Sequence, residues 1–216
     1  EDAFYEGVKF SQSSTKERTV GAYVSAAGNG PYSRVRGLSF VDCYFANQLV
    51  MDLTGSNTEG ITFTGCTFTM EGSATGQTSQ LEIGSMRWLA VVGCTFWGGT
   101  GRDSLDHYIY PKISQHALYR WNDFRLPPND PSARPNKTFA INTNTQNVPG
   151  TCGYYLIDRC FFRGAINGID CNASGGNNPA VDGVIGNFVI QRSRFDLGIG
   201  ARLGRADTTG YAFGAI

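Results

Sequence analysis

The chain has 216 residues, of which 18 are basic and 18 acidic, so its formal net charge is zero. This length is enough for one domain with a continuous core. The neutral balance and the lack of a basic run give no support to nucleic-acid binding, and no stretch approaches the roughly 18 apolar residues of a membrane span.

The chain begins with a weakly patterned segment and then repeats a clear motif. Residues 1–32 carry isolated apolar side chains such as Phe10 and Tyr23, which predicts one degenerate turn of the repeat that follows. An eight-residue motif then recurs six times, apolar at its first and third residues, small or polar at the sixth and Phe at the eighth. These positions are Leu38, Phe40, Cys43, Phe45; Ile61, Phe63, Cys66, Phe68; Leu89, Val91, Cys94, Phe96; Ala117, Tyr119, Asn122, Phe124; Tyr155, Ile157, Cys160, Phe162; and Phe188, Ile190, Ser193, Phe195. Such repeats indicate a solenoid.

Each repeat is predicted to contain three short strands. Apolar residues two apart have the period of a strand. A second apolar pair follows each motif: Met51 and Leu53, Leu81 and Ile83, Ile109 and Pro111, Phe139 and Ile141, Ile166 and Ile169, Leu197 and Ile199. We therefore predict an all-β fold, a right-handed, single-stranded parallel β-helix of about six to seven turns. Residues 1–216 would form a single domain, either part of a longer chain or an oligomer with covered ends, because uncapped strand edges aggregate.

Over residues 35–199 the whole repeat resembles the right-handed β-helix proteins of the pectate-lyase-like superfamily. The resemblance implies a ladder of small polar residues at the bend between the second and third strands, here Cys43, Cys66, Cys94, Asn122, Cys160 and Ser193. It implies an inner aromatic stack beside that ladder, formed by the Phe at the eighth position of each motif. It also implies that a polysaccharide binds on the outer surface of the first strand. The cysteines are interpreted as structural, since no Cys-x-x-Cys typical of zinc sites is present.

Residues 102–120 contain both histidines and are the predicted chemical site. With Ile109 and Pro111 facing inward, strand alternation turns Tyr108, Tyr110 and Lys112 outward. The same outward column is predicted to continue on other turns as Asp52, Glu82, Asn142 or Ala140, and Asp170. Carboxylates, tyrosines, a lysine and a nearby histidine would then line one groove.

Cleavage of a uronate-containing polysaccharide by elimination needs a base, a cation for the carboxylate and an acid for the leaving oxygen. His107 or Lys112 is the candidate base, Arg120 or Arg87 the cation, and Tyr110 the acid. Tyr108, Arg87, Asn142 and Asp170 are the candidate substrate-binding residues. Asp52 and Glu82 are candidate calcium ligands, or alternatively the carboxylate pair of a hydrolase. A structural alternative has His107 hydrogen-bonded to a turn and the carboxylates merely solvated.

Three functions follow from this pattern. The first is a polysaccharide lyase or depolymerase acting on an acidic polysaccharide, as in a phage tailspike. The second is a glycan-binding or structural fibre module that does not cleave, and the third is a uronate C5-epimerase. We expect polysaccharide as the partner, a homotrimer, neither nucleic acid nor membrane, calcium as the one cofactor suggested, and a location outside the cell or on a virion surface.

Overall fold

The computed structural model describes residues 3–11, 20–25, 36–46, 48–52, 58–70, 79–84, 86–98, 107–111, 114–126, 137–144, 151–172, 184–196, 199–205 and 212–213, in part through the backbone alone. Within them, all regular structure is β-strand. No helix in these segments is long and apolar enough to cross a membrane.

The strands form three sheets. Sheet A contains β1 (Ala3–Glu6), β4 (Arg36–Val41), β7 (Thr58–Thr64), β10 (Met86–Val92), β13 (Ser114–Arg120), β16 (Thr151–Asp158), β19 (Val184–Gln191) and β22 (Ala212–Phe213). Sheet B contains β2 (Lys9–Phe10), β5 (Tyr44–Phe45), β8 (Thr67–Met70), β11 (Thr95–Gly98), β14 (Asp123–Phe124), β17 (Phe161–Phe162) and β20 (Arg194–Phe195). Sheet C contains β3 (Val20–Ser25), β6 (Gln48–Asp52), β9 (Ser79–Ile83), β12 (His107–Pro111), β15 (Lys137–Asn144), β18 (Ala165–Asn172) and β21 (Ile199–Arg205).

The strand order makes the chain a parallel β-helix. Neighbours within every sheet are three strands apart in sequence and pair in parallel, so each turn of the coil adds one strand to each sheet. The described residues therefore confirm the predicted all-β solenoid with three strands per turn. They also confirm that the first residues form a further turn, because β1, β2 and β3 belong to sheets A, B and C.

The core is built on the eighth position of the motif. Stacked phenylalanine rings run through sheet B with centroid distances of 4.6 to 4.9 Å, from Phe10 to Phe195. Each buried ring removes apolar surface from water, worth about 1.5–3 kcal/mol, and the offset between turns suits aromatic stacking. The predicted inner aromatic stack is thus present.

The sixth position forms the predicted ladder. Cys43, Cys66, Cys94 and Cys160 are free and buried, and their thiols contact backbone carbonyls, for example Cys66 Sγ to Phe40 O at 3.4 Å. Asn122 extends the ladder by accepting a hydrogen bond from Cys94 N and donating one to Val91 O. These contacts satisfy buried polar groups at the bend between sheets A and B.

The register of sheet C differs from the sequence prediction in its early and late turns. Leu49 and Met51, and not Met51 and Leu53, lie opposite Leu81 and Ile83. In the later turns Ile169 lies opposite Ile141, but Asn167, and not Ile166, lies opposite Phe139. Loop lengths before these strands vary, so apolar pairs in the sequence do not by themselves fix which residues pair.

Candidate functional site

The outer face of sheet C brings together His107, Tyr110 and Asn142. His107 Nε2 lies 2.8 Å from Asn142 Nδ2, and the His107 and Tyr110 rings are 5.3 Å apart. Because an amide nitrogen only donates, Nε2 is the acceptor of this contact. His107 is 2% exposed and Asn142 is 8% exposed. The nitrogen that would take a substrate proton is therefore covered and already engaged.

Four of the predicted groove residues follow one another in register on this face. Tyr110 lies opposite Glu82, Asn142 lies opposite Asp170, and the Ile109–Ile141 pair sets Tyr110 beside Asn142. Glu82 and Tyr110 are partly exposed, whereas Asp170 is 2% exposed. The predicted column of residues is present, but two of its four members, Asn142 and Asp170, are buried.

The backbone register does not place Asp52 directly opposite Glu82. Val50 lies opposite Glu82, because β6 pairs two residues away from the predicted register. Among the residues that the structure describes, no three His, Cys, Asp or Glu side chains are grouped to hold a metal ion. The register gives no support to a calcium site or a hydrolase pair at these two positions.

Tyr108 faces the interior and not the groove, contrary to the sequence prediction. It is 1% exposed, and its hydroxyl lies 3.1 Å from Arg125 O and 3.0 Å from Gly164 O. Strand alternation fails at the start of β12, where the hydroxyl reaches the carbonyls that follow β14 and β17. Burial, with a smaller contribution from the charge of Asp123, raises the pKa of Tyr108. It is a structural residue.

The two predicted carboxylate-binding arginines lie on sheet A, away from the strands that carry His107. Arg87 is on β10 and Arg120 on β13. The Arg120 Nε donates to Asp158 Oδ2 at 2.9 Å. β12 belongs to sheet C and β13 to sheet A, so proximity in sequence does not become proximity on one face. Lys112 lies outside the described residues.

Sheet A carries a second candidate site that begins with the residue before each motif. In the six copies this residue is Gly37, Gly60, Trp88, His116, Tyr154 or Asn187, and all six have left-handed backbones with φ between 57° and 75°. The Trp88 and His116 rings stack at 4.3 Å, and the His116 and Tyr154 rings at 4.8 Å. Trp88 is 57% exposed and Tyr154 53% exposed. We call Trp88, His116 and Tyr154 the outer aromatic stack.

The outer aromatic stack has an open end. The flanking pairs Arg87–Glu59 and Leu89–Ile61 place Gly60 next to Trp88 in the neighbouring turn. Gly60 has no side chain, so nothing from that position covers the ring face of Trp88 that points toward it. Beside Gly60, Glu59 forms an ion pair with Arg36 at 2.6 Å. Trp88 is therefore exposed at this end of the stack, with the Arg36–Glu59 ion pair on the neighbouring turns.

An arginine cluster surrounds one buried carboxylate at the C-terminal ends of the sheet A strands. Asp158 is fully buried, and its two oxygens accept hydrogen bonds from Arg120 Nε at 2.9 Å and Arg192 Nε at 2.8 Å. Arg159 Nη1 lies 3.9 Å from Asp158 Oδ2. Burial acts in the opposite direction, but the hydrogen bond and charge of Arg192, with the charges of Arg159 and Arg120, lower the pKa of Asp158. We call Arg120, Arg159 and Arg192 the arginine cluster.

Trp121 lies beside the arginine cluster. It is 52% exposed, and the guanidinium carbons of Arg120 and Arg159 lie 4.5 Å and 5.8 Å from its ring. A column of outward aliphatic residues lies between the outer aromatic stack and the arginines. In the later turns it consists of Ala90, Leu118, Leu156 and Val189. The outer face of sheet A thus combines aromatic, aliphatic and cationic groups.

Sequence reasoning missed the outer aromatic stack. Its signal was available, since Trp88, His116 and Tyr154 each directly precede the first apolar residue of a motif. What the letters do not show is that this position has a left-handed backbone, which favours the Gly and Asn found in the other copies.

Comparisons with known proteins identify no family. No family model matches the chain, and no curated protein matches it. Among solved structures, the chain is similar to a trypsin-treated variant of QnrB1, a plasmid-mediated fluoroquinolone resistance protein, at 14% identity and a TM-score of 0.24, over 93% of this chain and 92% of that chain. A TM-score of this size carries no argument, so the assignment as a parallel β-helix protein rests on strand order and register.

Proposed function

We propose that this chain is a carbohydrate-active β-helix protein of the pectate-lyase-like kind, and that its outer aromatic stack binds a polysaccharide. The observation that carries the proposal is the row of outward, stacked rings of Trp88, His116 and Tyr154, which stand on left-handed backbones. For residues other than Gly this conformation costs about 1–2 kcal/mol each, and for a bulky residue it is a genuine outlier.

Packing alone does not account for these three residues. Gly37, Gly60 and Asn187 fill the same backbone position with little strain, so the fold does not require aromatic side chains there. Trp88 and Tyr154 are more than half exposed, so they contribute little to the core. The left-handed backbone itself recurs in the coil, at Asp42, Arg159 and Arg192 among others. What the fold leaves unexplained is the choice of exposed aromatic side chains in this column.

The chemistry suits a sugar. A pyranose ring has an apolar face that stacks on an aromatic ring, and hydroxyls around its edge that need polar partners. The open face of Trp88 over Gly60 supplies the first, and Glu59 and Arg36 supply the second. The inner faces of the stack contact one another, Trp88 with His116 and His116 with Tyr154, so the sugar ring is expected on the end face of Trp88.

The test is a binding titration against alginate, pectate, hyaluronan and bacterial capsules. Trp88→Asn should raise the Kd for the polysaccharide about tenfold, because one stacked contact is lost. A tenfold change in Kd corresponds to about 1.4 kcal/mol. Asn is chosen because Asn187 already occupies the same column. Phe4→Asn removes an exposed aromatic ring outside the outer aromatic stack; it is the matched control and should bind normally. Unchanged binding by Trp88→Asn would contradict the proposal.

A second candidate function is the lyase predicted on sheet C. Its support is the contact of His107 with Asn142 at 2.8 Å and with the Tyr110 ring at 5.3 Å. In this reaction His107 would take the proton alpha to a uronate carboxylate after Asn142 releases Nε2, and Tyr110 would protonate the leaving oxygen. Absorbance near 235 nm should then rise with substrate and stay flat for His107→Ala. A flat trace for the native chain, with no reducing ends released, would count against cleavage on the panel and leave binding as the function.

A further inference from the structure

The arginine cluster carries more positive charge than Asp158 neutralises. Three guanidinium groups share one carboxylate, which leaves a local excess of two positive charges on a chain whose formal net charge is zero. Like charges held together repel one another, and that repulsion is relieved when an anion binds. Charge neutrality at Asp158 would need only one arginine, and hydrogen bonds to its two oxygens only two.

The arginines are also oriented for a ligand. Arg120 and Arg192 both use Nε to reach Asp158, so the buried carboxylate fixes their guanidinium planes. Asp158 is the only acceptor within ion-pair distance of these groups among the described residues. Their side chains are 36% and 50% exposed, and that of Arg159 is 41% exposed. Their Nη atoms are therefore available at the surface, in the fork geometry that suits carboxylate and sulfate oxygens.

The cluster lies on the same face as the outer aromatic stack. His116 and Arg120 are both outward residues of β13, and four residues of strand span about 13 Å. Trp121 is exposed beside two of the arginines, so an aromatic ring also lies next to the cluster.

We propose that Arg120, Arg159 and Arg192 form an anion-binding site that takes a carboxylate or sulfate group of an acidic glycan. The identity of the ligand as a glycan rests on the proposed function, whereas the anion site itself rests on the arginines. Carboxylate and sulfate groups present the same oxygen chemistry to a guanidinium, so the experiment separates the two sources.

The experiment is calorimetric titration with polygalacturonate, dextran sulfate, neutral dextran and sodium sulfate alone. Two double variants remove the same charge: Arg159→Gln with Arg192→Gln in the cluster, and Arg163→Gln with Arg194→Gln outside it. Arg163 and Arg194 pair with Asp123 and Asp196, so they are matched controls. The single variant Arg159→Gln leaves both Nε contacts of Asp158 in place and serves if the cluster double variant does not fold.

The cluster variant should weaken binding of polygalacturonate or dextran sulfate at least tenfold, and the control pair less than threefold. Binding of sulfate alone that the cluster variant removes also supports the site. Equal losses in both double variants, which would reflect bulk charge, or native protein that binds none of the anions, would overturn it. If Trp88→Asn loses affinity for the acidic glycans and the cluster variant does not, the proposed function stands and the anion site is rejected. If the cluster variant loses affinity and Trp88→Asn does not, the anion site stands and the proposed function is rejected.

Discussion

The hydroxyl of Tyr108 illustrates how a side chain with a functional appearance can have a structural role. It lies between the carbonyls of Arg125 and Gly164, which belong to two successive turns. Removing it takes away the one O–H that these two carbonyls share. Tyr108→Phe should therefore lower the free energy of unfolding by about 1–3 kcal/mol, measured in urea.

Tyr110→Phe is the control for that change, since Tyr110 is on the same strand and partly exposed. Polysaccharide affinity should be unaffected by Tyr108→Phe, because the residue is in the interior. A stable Tyr108→Phe protein that no longer binds would restore Tyr108 to the binding site and contradict its structural role.

Cys160 predicts how stability depends on alkaline pH. Burial raises the pKa of this thiol from 9.0 to about 11, so the unfolded chain loses the proton at lower pH than the folded one. A raised folded pKa means that its contribution to stability is complete below pH 9 and is lost as pH rises to about 11. The loss is about 3 kcal/mol at 1.36 kcal/mol per pKa unit.

Cys160→Ser isolates this contribution, because Ser193 already occupies the same ladder position one turn later. Urea unfolding from pH 8 to pH 11 should show a smaller decline for the serine variant than for the native chain. Parallel declines would mean that Cys160 does not titrate in this range.

At the scale of single residues, sequence identified positions better than orientations. The sixth and eighth motif positions were predicted because their chemistry is similar in every copy, as in Cys66 and Phe68. The predicted orientation of Tyr108 was wrong because alternation assumes a regular strand, whereas the consecutive residues Tyr108 and Ile109 are both buried in β12. The burial of His107 depends on contacts across turns that spacing does not contain.

At the scale of strands and columns, the outer aromatic stack separates a binding role from a structural one. Trp88→Asn removes a stacking contact worth about 0.5–1.5 kcal/mol and relieves left-handed strain of about 1–2 kcal/mol. The two nearly cancel, so the free energy of unfolding should change by less than about 1 kcal/mol. Thermal or urea unfolding measures it. A loss of 3 kcal/mol or more would make the stack a structural element.

Sheet identity followed from sequence, but the assembly of one site from different strands did not. The repeat predicted the strand that carries Tyr110, because that strand follows the Gly-rich turn after Phe96. It grouped Arg120 with His107 and Tyr110 by proximity in sequence, although the chain crosses from β12 to β13 between them. Variable loop lengths also shifted Asp52 by two residues, and nothing in the local sequence signals such a shift.

For the whole molecule, the homotrimer stays a prediction with a direct readout. Sedimentation equilibrium should give three times the chain mass of 23.4 kDa. Trp88→Asn should leave that mass unchanged, because a polysaccharide site needs the outer aromatic stack to remain accessible. A Trp88→Asn protein that becomes monomeric would assign the stack to a subunit contact.

The central claim is that a sugar ring stacks on Trp88 in the space above Gly60, and one titration tests it directly. Gly60→Asn keeps a residue that tolerates the left-handed backbone, as Asn187 does in the same column, and places a side chain over the ring face. A Cβ at Gly60 meets only backbone atoms of Gly37, at 3.5 Å or more, so the variant should fold. We expect polysaccharide binding to fall about tenfold relative to native protein. Native affinity in a folded Gly60→Asn protein would contradict the account.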